Sequence, residues 1–420
     1  MDKLIIEGGH PLKGEVKVSG SKNATLPILA ATLLTDEACI IRNCPKLRDT
    51  FTMGRLLRSL GKTVDFDKDA VVVSSKGDLQ YVADYKLVST MRGSFCVLGP
   101  LLGKLGKAKV SLPGGCVIGI RPVDLHIKGV KALGAAIDIE NGYVIARARR
   151  LKGTRIYLGG VFGSSVLATA NVMMAAVLAP GETIIESAAC EPEVMELANF
   201  LIAMGAKIKG AGTPQLVITG VKKLQGAEYH VGPDRIEAGT FLIMAAATRS
   251  TMVIRNANYH HLLALLDKME ETGVRFETDD HTIKVKPARI LKSTSVNTFP
   301  YPGFPTDLQA QFMALMALTP GISVITDKVY PDRFIHIAEL NRMGANIRRE
   351  GSNAIVQGVK QLFGSPVMAS DLRASAALVI AGLAARGLTE IHRIYHLERG
   401  YENLDQKLIQ LGAKVHRERE

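Results

Sequence analysis

One short phrase occurs six times along the 420 residues: a Leu, Met or Thr, then Gly, a short spacer and an apolar residue. The glycines are Gly61, Gly134, Gly205, Gly273, Gly344 and Gly412, separated by 73, 71, 68, 71 and 68 residues. So regular a period marks an internal repeat. Each copy runs in the same order. A helix rich in Ala, Gly, Ser and Leu is followed by a β-branched strand such as Thr183-Ile184-Ile185, then a polar loop and a second helix that ends in the Gly phrase. Glycine just past a helix suits the left-handed C-cap. The period exceeds the roughly 20–50 residues of common solenoid units. The chain is also longer than one hydrophobic core usually serves. Six α/β units are therefore expected to pack as two three-repeat domains. The apolar helices at 24–34 and 375–385 are too short to span a bilayer and read as buried between layers.

Apolar residues make up 47% of the chain and charged residues 22%, an ordinary globular balance. The start, Asp2 and Lys3, lacks the apolar core of a signal peptide. Cys39, Cys44, Cys96, Cys116 and Cys190 form no CxxC pair, and no His cluster completes a zinc site, so no metal is expected. Reduced thiols in a cytoplasmic protein are the economical reading. The net charge is +12, but the basic residues are dispersed and there is no Trp, so a small polyanion accounts for the charge better than nucleic acid does.

The segment Pro113 to Asp124 carries the most chemistry. Gly114, Gly115 and Gly119 surround one thiol, Cys116, and one guanidinium, Arg121. A thiol near a cation exchanges its proton near neutral pH, and a guanidinium grips carboxylate or phosphate with two bonds. Two readings stay open here: an anion-binding loop with a reactive cysteine, or a tight turn around a structural one.

The starts of the first helices form a series: Gly20-Ser21-Lys22-Asn23, Thr90-Met91-Arg92, Gly163-Ser164-Ser165, Pro233-Asp234-Arg235, Pro305-Thr306-Asp307 and Ser370-Asp371-Leu372-Arg373. Ser165, Thr306 and Asp371 suit helix caps. Lys22 and Arg92 oppose the helix dipole, which points to a bound anion. The loops before the second helices add Arg48, Arg121 with Asp124 and His126, Glu191 with Glu193, His260 with His261, Arg333 and Arg399.

These motifs in this order resemble the enolpyruvyl transferases, specifically those acting on UDP-N-acetylglucosamine. The resemblance covers residues 1 to about 417 and rests on Ser21-Lys22-Asn23, the Cys116 loop with Arg121 to His126, Asp234 to Glu237, Phe304 to Asp307, Asp371 to Ser375 and Arg399 to Glu402. It implies an α/β fold of two inside-out α/β barrels, helices central and sheets outside, in a pair able to close by hinge motion. One domain would span 22–230 and carry the Cys116 loop. The other would join 1–21 to 231–420 and carry Asp307 and Arg399.

The resemblance also implies roles. Lys22, Arg121 and Arg399 would hold phosphoenolpyruvate, with Arg92 shaping that site. Asn23 and Asp307 would contact the sugar, with Asp307 as base and Cys116 as acid. Arg121, Asp124, Leu125, His126 and Val329 would line the nucleotide end, with Asp371 and Arg373 completing the substrate site. Ser165 stands at the diphosphate loop, but its segment, Ser165-Val166-Leu167-Ala168-Thr169, departs from the family. Leu167 replaces a glycine and obstructs close backbone approach, leaving Gly159, Gly160 and Gly163 to supply flexibility. The implied partners are phosphoenolpyruvate and UDP-N-acetylglucosamine, with no cofactor, nucleic acid or membrane insertion. Two alternatives remain: transfer to shikimate 3-phosphate, and a non-catalytic sugar-nucleotide-binding paralogue.

Overall fold

The computed structural model describes residues 2–68, 70–113 and 123–419. All six phrase glycines take positive φ, from 83° to 102°. Five of them complete the same C-terminal motif. At Gly134, Gly205, Gly273, Gly344 and Gly412 the glycine N–H donates three residues back, and the next residue's N–H donates five back, as in Gly134 to Lys131 (2.9 Å) and Ala135 to Val130 (3.1 Å). This satisfies helix-end carbonyls and turns the chain into the next strand.

The described residues fall into two compact units. One comprises 2–19 and 233–419, the other 20–113 and 123–232. The described strands form six four-stranded sheets of one design, a short edge strand parallel to its neighbour and then two antiparallel partners. In the third repeat Arg155–Tyr157 lies parallel to Glu182–Glu186, which pairs with Gln215–Thr219, itself paired with Lys207–Lys209. The N-terminal segment belongs to the later repeats. Asp2–Glu7 lies between Leu388–His392 and Lys414–Arg419, and Gly14–Lys17 edges Met252–Arg255. Glu228–His230 returns to edge Cys39–Arg42 of the first repeat.

Within each unit the first helices are interior. Arg235–Ala247, Gln309–Ala317 and Leu372–Ala384 pack on one another and are almost wholly buried. Lys22–Ala31, Leu98–Leu105 and Val166–Ala176 do the same in the other unit, Lys22–Ala31 reaching Leu98–Leu105 through the turn Arg92–Val97. These helices are largely apolar around their circumference, as burial requires, with a few buried polar residues such as Asn171 and Gln311 and one partly exposed end at Lys104. The strands alternate buried with exposed residues, one face on the helices and one facing water. Each unit is thus an inside-out α/β barrel. Among the described residues no helix is long and apolar enough to cross a membrane.

Candidate active site

The first-helix starts lie where the repeats place them. Ser21 and Ser165 cap their helices by accepting from Ala24 and Ala168 N–H, each at 3.3 Å. Asp234 and Asp371 each accept from two backbone N–H groups. Arg92 and Thr306 instead open short 3-10 turns that run into the helices. Each start therefore leaves its next side chains at a helix mouth, where unpaired N–H groups favour anions.

In the unit with residues 233–419, the centre is Asp307. Arg333 Nη1 donates to its Oδ1 at 2.8 Å and Arg373 Nη2 to its Oδ2 at 3.0 Å. Both guanidiniums are buried, their side chains 5% and 2% exposed, while Asp307 is 27% exposed. Burial is the largest single influence and opposes their charge. Asp307, joined by Asp371 and Asp327 at Arg333 and by Tyr401 and Asp234 at Arg373, outweighs it and holds both arginines above the ordinary guanidinium range. Arg373 also stacks over the Tyr401 ring, 5.4 Å from its centroid. Its Nε and Nη1 are buried without a hydrogen-bond partner, which leaves two charged donors for an acceptor. Asp327 braces the same corner. It accepts from Thr298, Thr306 and the N–H groups of Val329 and Tyr330, so Val329 is fixed beside Asp307's turn. His336 lies buried nearby. Burial pushes its imidazole down to about 4, with Asp371 pulling upward and Arg333 downward. Arg399 closes the turn Ile394–Arg399, half-buried, two residues before Tyr401.

In the unit with residues 20–232, Lys22 pairs with buried Asp49, Nζ to Oδ2 at 3.0 Å. That carboxylate, in the first turn of Arg48–Ser59, offsets the unfavourable cation at a helix start. A bound anion is thus not needed to explain Lys22's position. Asn23 and Arg92 are half-buried at their helix mouths. Asp124 opens Asp124–Ala132 and is exposed, with Leu125 half-buried beside it. Leu125 packs against Gly160, whose hydrogen bonds with Gly163 (2.9 and 3.1 Å) close a tight turn. That turn precedes Ser165. His126 points inward. It is buried, set edge-on to Phe95 at 5.1 Å and hydrogen-bonded to Asn171 at 2.8 Å. Burial, with Arg92's charge, pushes its imidazole down to about 3, so it stays neutral.

Cys116 and Arg121 lie outside the described residues. Of the expected residues, the structure joins Asp307 with Arg373, and fixes Val329 beside them. Sequence reasoning missed Arg333, Asp49 and Asn171 as site partners. Arg333 had the signal of standing in the equivalent loop to Arg399. Asn171 had none, being one polar residue in an apolar helix. No group of three or more His, Cys, Asp or Glu suited to a metal occurs among the described residues.

The profile of the EPSP synthase (3-phosphoshikimate 1-carboxyvinyltransferase) family matches residues 6–408. The UDP-N-acetylglucosamine 1-carboxyvinyltransferase of Methylacidiphilum infernorum is 52% identical over 99% of both chains. That of Lawsonia intracellularis is 53% identical over the full length of both. Among solved structures, the enolpyruvyl transferase NikO from Streptomyces tendae superposes with a TM-score of 0.89 at 25% identity, covering 99% of each chain. EPSP synthase from Acinetobacter baumannii reaches 0.75 at 18% over 100% of each, which speaks for the fold alone.

Proposed function

We infer the activity from kinship and site chemistry together: the chain belongs to the EPSP synthase family of enolpyruvyl transferases, and it moves the enolpyruvyl group of phosphoenolpyruvate to the 3-hydroxyl of UDP-N-acetylglucosamine, releasing phosphate. This is the reaction named for its relatives at half identity over the full length, and it opens peptidoglycan synthesis. Shikimate 3-phosphate as acceptor has only the name of the broader family in its favour. A non-catalytic paralogue has only the altered loop at 163–169.

The observation that carries the chemistry is Asp307 held between two buried arginines, one with charged donors to spare. A partly exposed carboxylate in fixed orientation suits a base toward the sugar hydroxyl. Cations with unused donors suit an anionic co-substrate. In the proposed sequence Asp307 takes the proton of the 3-hydroxyl as its oxygen bonds to C2 of phosphoenolpyruvate. Cys116 delivers a proton to C3, giving a tetrahedral ketal. The Cys116 thiolate then takes a proton back from C3, restoring the double bond as the C2–O bond to phosphate breaks, and the proton held by Asp307 leaves with the phosphate. Lys22, Arg121 and Arg399 neutralise and orient the phosphate and carboxylate, with Arg92 and Arg373 supporting them. Asn23 contacts the sugar. Asp124, Leu125, Ser165, Val329 and Asp371 serve the sugar-nucleotide side, Asp371 chiefly by capping the helix that carries Arg373. His126 stays with the nucleotide end, its ring turned inward against Phe95 and Asn171. We place the reaction in the cytoplasm, a setting that suits the four described, unbridged thiols. The test is phosphate release from phosphoenolpyruvate with each candidate acceptor supplied alone.

A further inference from the structure

Asn171 sits in the middle of the helix Val166–Ala176 and is fully buried. Its side-chain amide meets three partners. Gly99 N–H donates to Oδ1 at 2.7 Å, Nδ2 donates to Phe95 O at 3.0 Å, and Nδ2 lies 2.8 Å from His126 Nδ1. The first two contacts fix which end of the amide is oxygen. The second Nδ2 proton then has to go to His126, whose Nδ1 accepts it and whose proton therefore sits on Nε2. Every hydrogen-bonding site that a buried amide most needs filled is filled.

The positions of the partners matter. Phe95 O and Gly99 N–H are four residues apart, the spacing of an α-helical rung. Leu98 N–H instead closes on Phe95 O in a 3-10 bond. The side chain of Asn171 takes the place of the missing rung, where the turn Arg92–Val97 meets the helix Leu98–Leu105. Approach is close: a Cβ at Gly99 would lie 2.1 Å from the Asn171 backbone oxygen. Arg92 opens that turn, three residues before Phe95, and its charge is felt at His126. His126 in turn lies on the helix that begins with Asp124 and Leu125.

We propose that Asn171 is a positioning residue for substrate binding: through Phe95, Gly99 and His126, its amide sets the aim of the Arg92 turn relative to the helix mouth at Asp124 and Leu125. This rests on the functional reading above, which assigns Arg92, Asp124 and Leu125 to the substrates. A single amide of the third repeat thus ties together the first and second helices of the second repeat, near the end where their ligand groups emerge. The carboxamide is needed because no other side chain of its size offers one acceptor and two donors in a plane.

The test combines spectroscopy with kinetics. In the wild-type protein, 15N NMR of labelled histidine should show His126 as the Nε2–H tautomer, unchanged from pH 8 to pH 5. Asn171→Asp keeps the acceptor for Gly99 and loses both donors, so His126 should switch to the Nδ1–H form. Asn171→Leu should raise KM for phosphoenolpyruvate about tenfold or more while kcat changes far less, because misaimed ligands cost binding and alignment first. In an Arg92→Ala background the same change should cost much less, since its effect runs through Arg92. An Nδ1-protonated or titrating His126 in the wild type would overturn the proposal. So would a KM within twofold of wild type in both Asn171 variants, or an undiminished penalty in the Arg92→Ala background. If Asn171→Leu fails to fold, the wild-type tautomer and Asn171→Asp decide. Failure of the functional reading is separable, because it would appear as wild-type protein inactive with UDP-N-acetylglucosamine while the His126 tautomer remained as expected.

Discussion

Arg373 reaches Asp307 across 66 positions of sequence, Nη2 to Oδ2 at 3.0 Å, with its guanidinium buried and the carboxylate partly open to solvent. The pairing orders an acceptor of protons beside a cation that still has donors to give. Arg333 completes the grip on the other oxygen. A carboxylate held on both oxygens keeps one orientation, which suits a base toward a hydroxyl brought within hydrogen-bond reach.

Asp307→Asn keeps the shape and removes the proton acceptor. kcat should fall about a hundred- to ten-thousandfold, the usual worth of a positioned base. Phosphoenolpyruvate binding should survive, since no cation is lost. Arg399→Ala should do the reverse and weaken phosphoenolpyruvate binding first. Steady-state kinetics with calorimetric titration separates the two. Both variants binding normally and turning over would refute the division of roles.

Much of this was legible in the sequence because it is local or periodic. The six glycines announced left-handed helix ends, and the backbone takes that conformation at each. Ser21, Ser165, Asp234 and Asp371 were readable as helix starts, since capping depends on neighbours two or three residues away. Lys22 was legible as an oddity, but its partner was not, because Asp49 lies in another helix. His126 illustrates the larger gap. It stands two residues from an exposed Asp124, and only the way its helix packs decides that it faces Phe95 and Asn171. Asn171 reaches Gly99, Phe95 and His126 over 72, 76 and 45 positions. Nothing in periodicity encodes such contacts.

Acid should weaken the fold through two buried imidazoles. His126 and His336 have folded pKa values near 3 and 4, below the ordinary 6.5, because burial penalises their charge. The unfolded chain therefore takes up protons that the folded one refuses, and stability drops as pH falls below 6.5. Each should contribute a loss of about 2 kcal/mol between pH 8 and pH 5. Urea denaturation of His336→Gln should show roughly half of the combined histidine loss. A variant with the full wild-type pH dependence would exclude His336 as a source.

Fosfomycin, an epoxide that resembles phosphoenolpyruvate and alkylates the corresponding cysteine in the family, should label Cys116. Among the others, Cys96 is pushed up to about 12 by burial, and Cys39 and Cys190 are raised for the same reason. Raised thiols react slowly. Sugar nucleotide should speed the labelling. Cys116→Asp should block it yet keep some activity, since a carboxylic acid also donates protons, whereas Cys116→Ser should do much worse. Peptide mapping that found the adduct on Cys39, Cys44, Cys96 or Cys190, with Cys116 untouched, would overturn the assignment.

The most direct measurement is phosphate release from phosphoenolpyruvate by the purified protein, with UDP-N-acetylglucosamine or shikimate 3-phosphate as the sole acceptor. Release is expected with the sugar nucleotide, at a rate that Asp307→Asn lowers about a hundredfold or more, and none with shikimate 3-phosphate. Equal or faster release with shikimate 3-phosphate, or no release with either, would contradict the account.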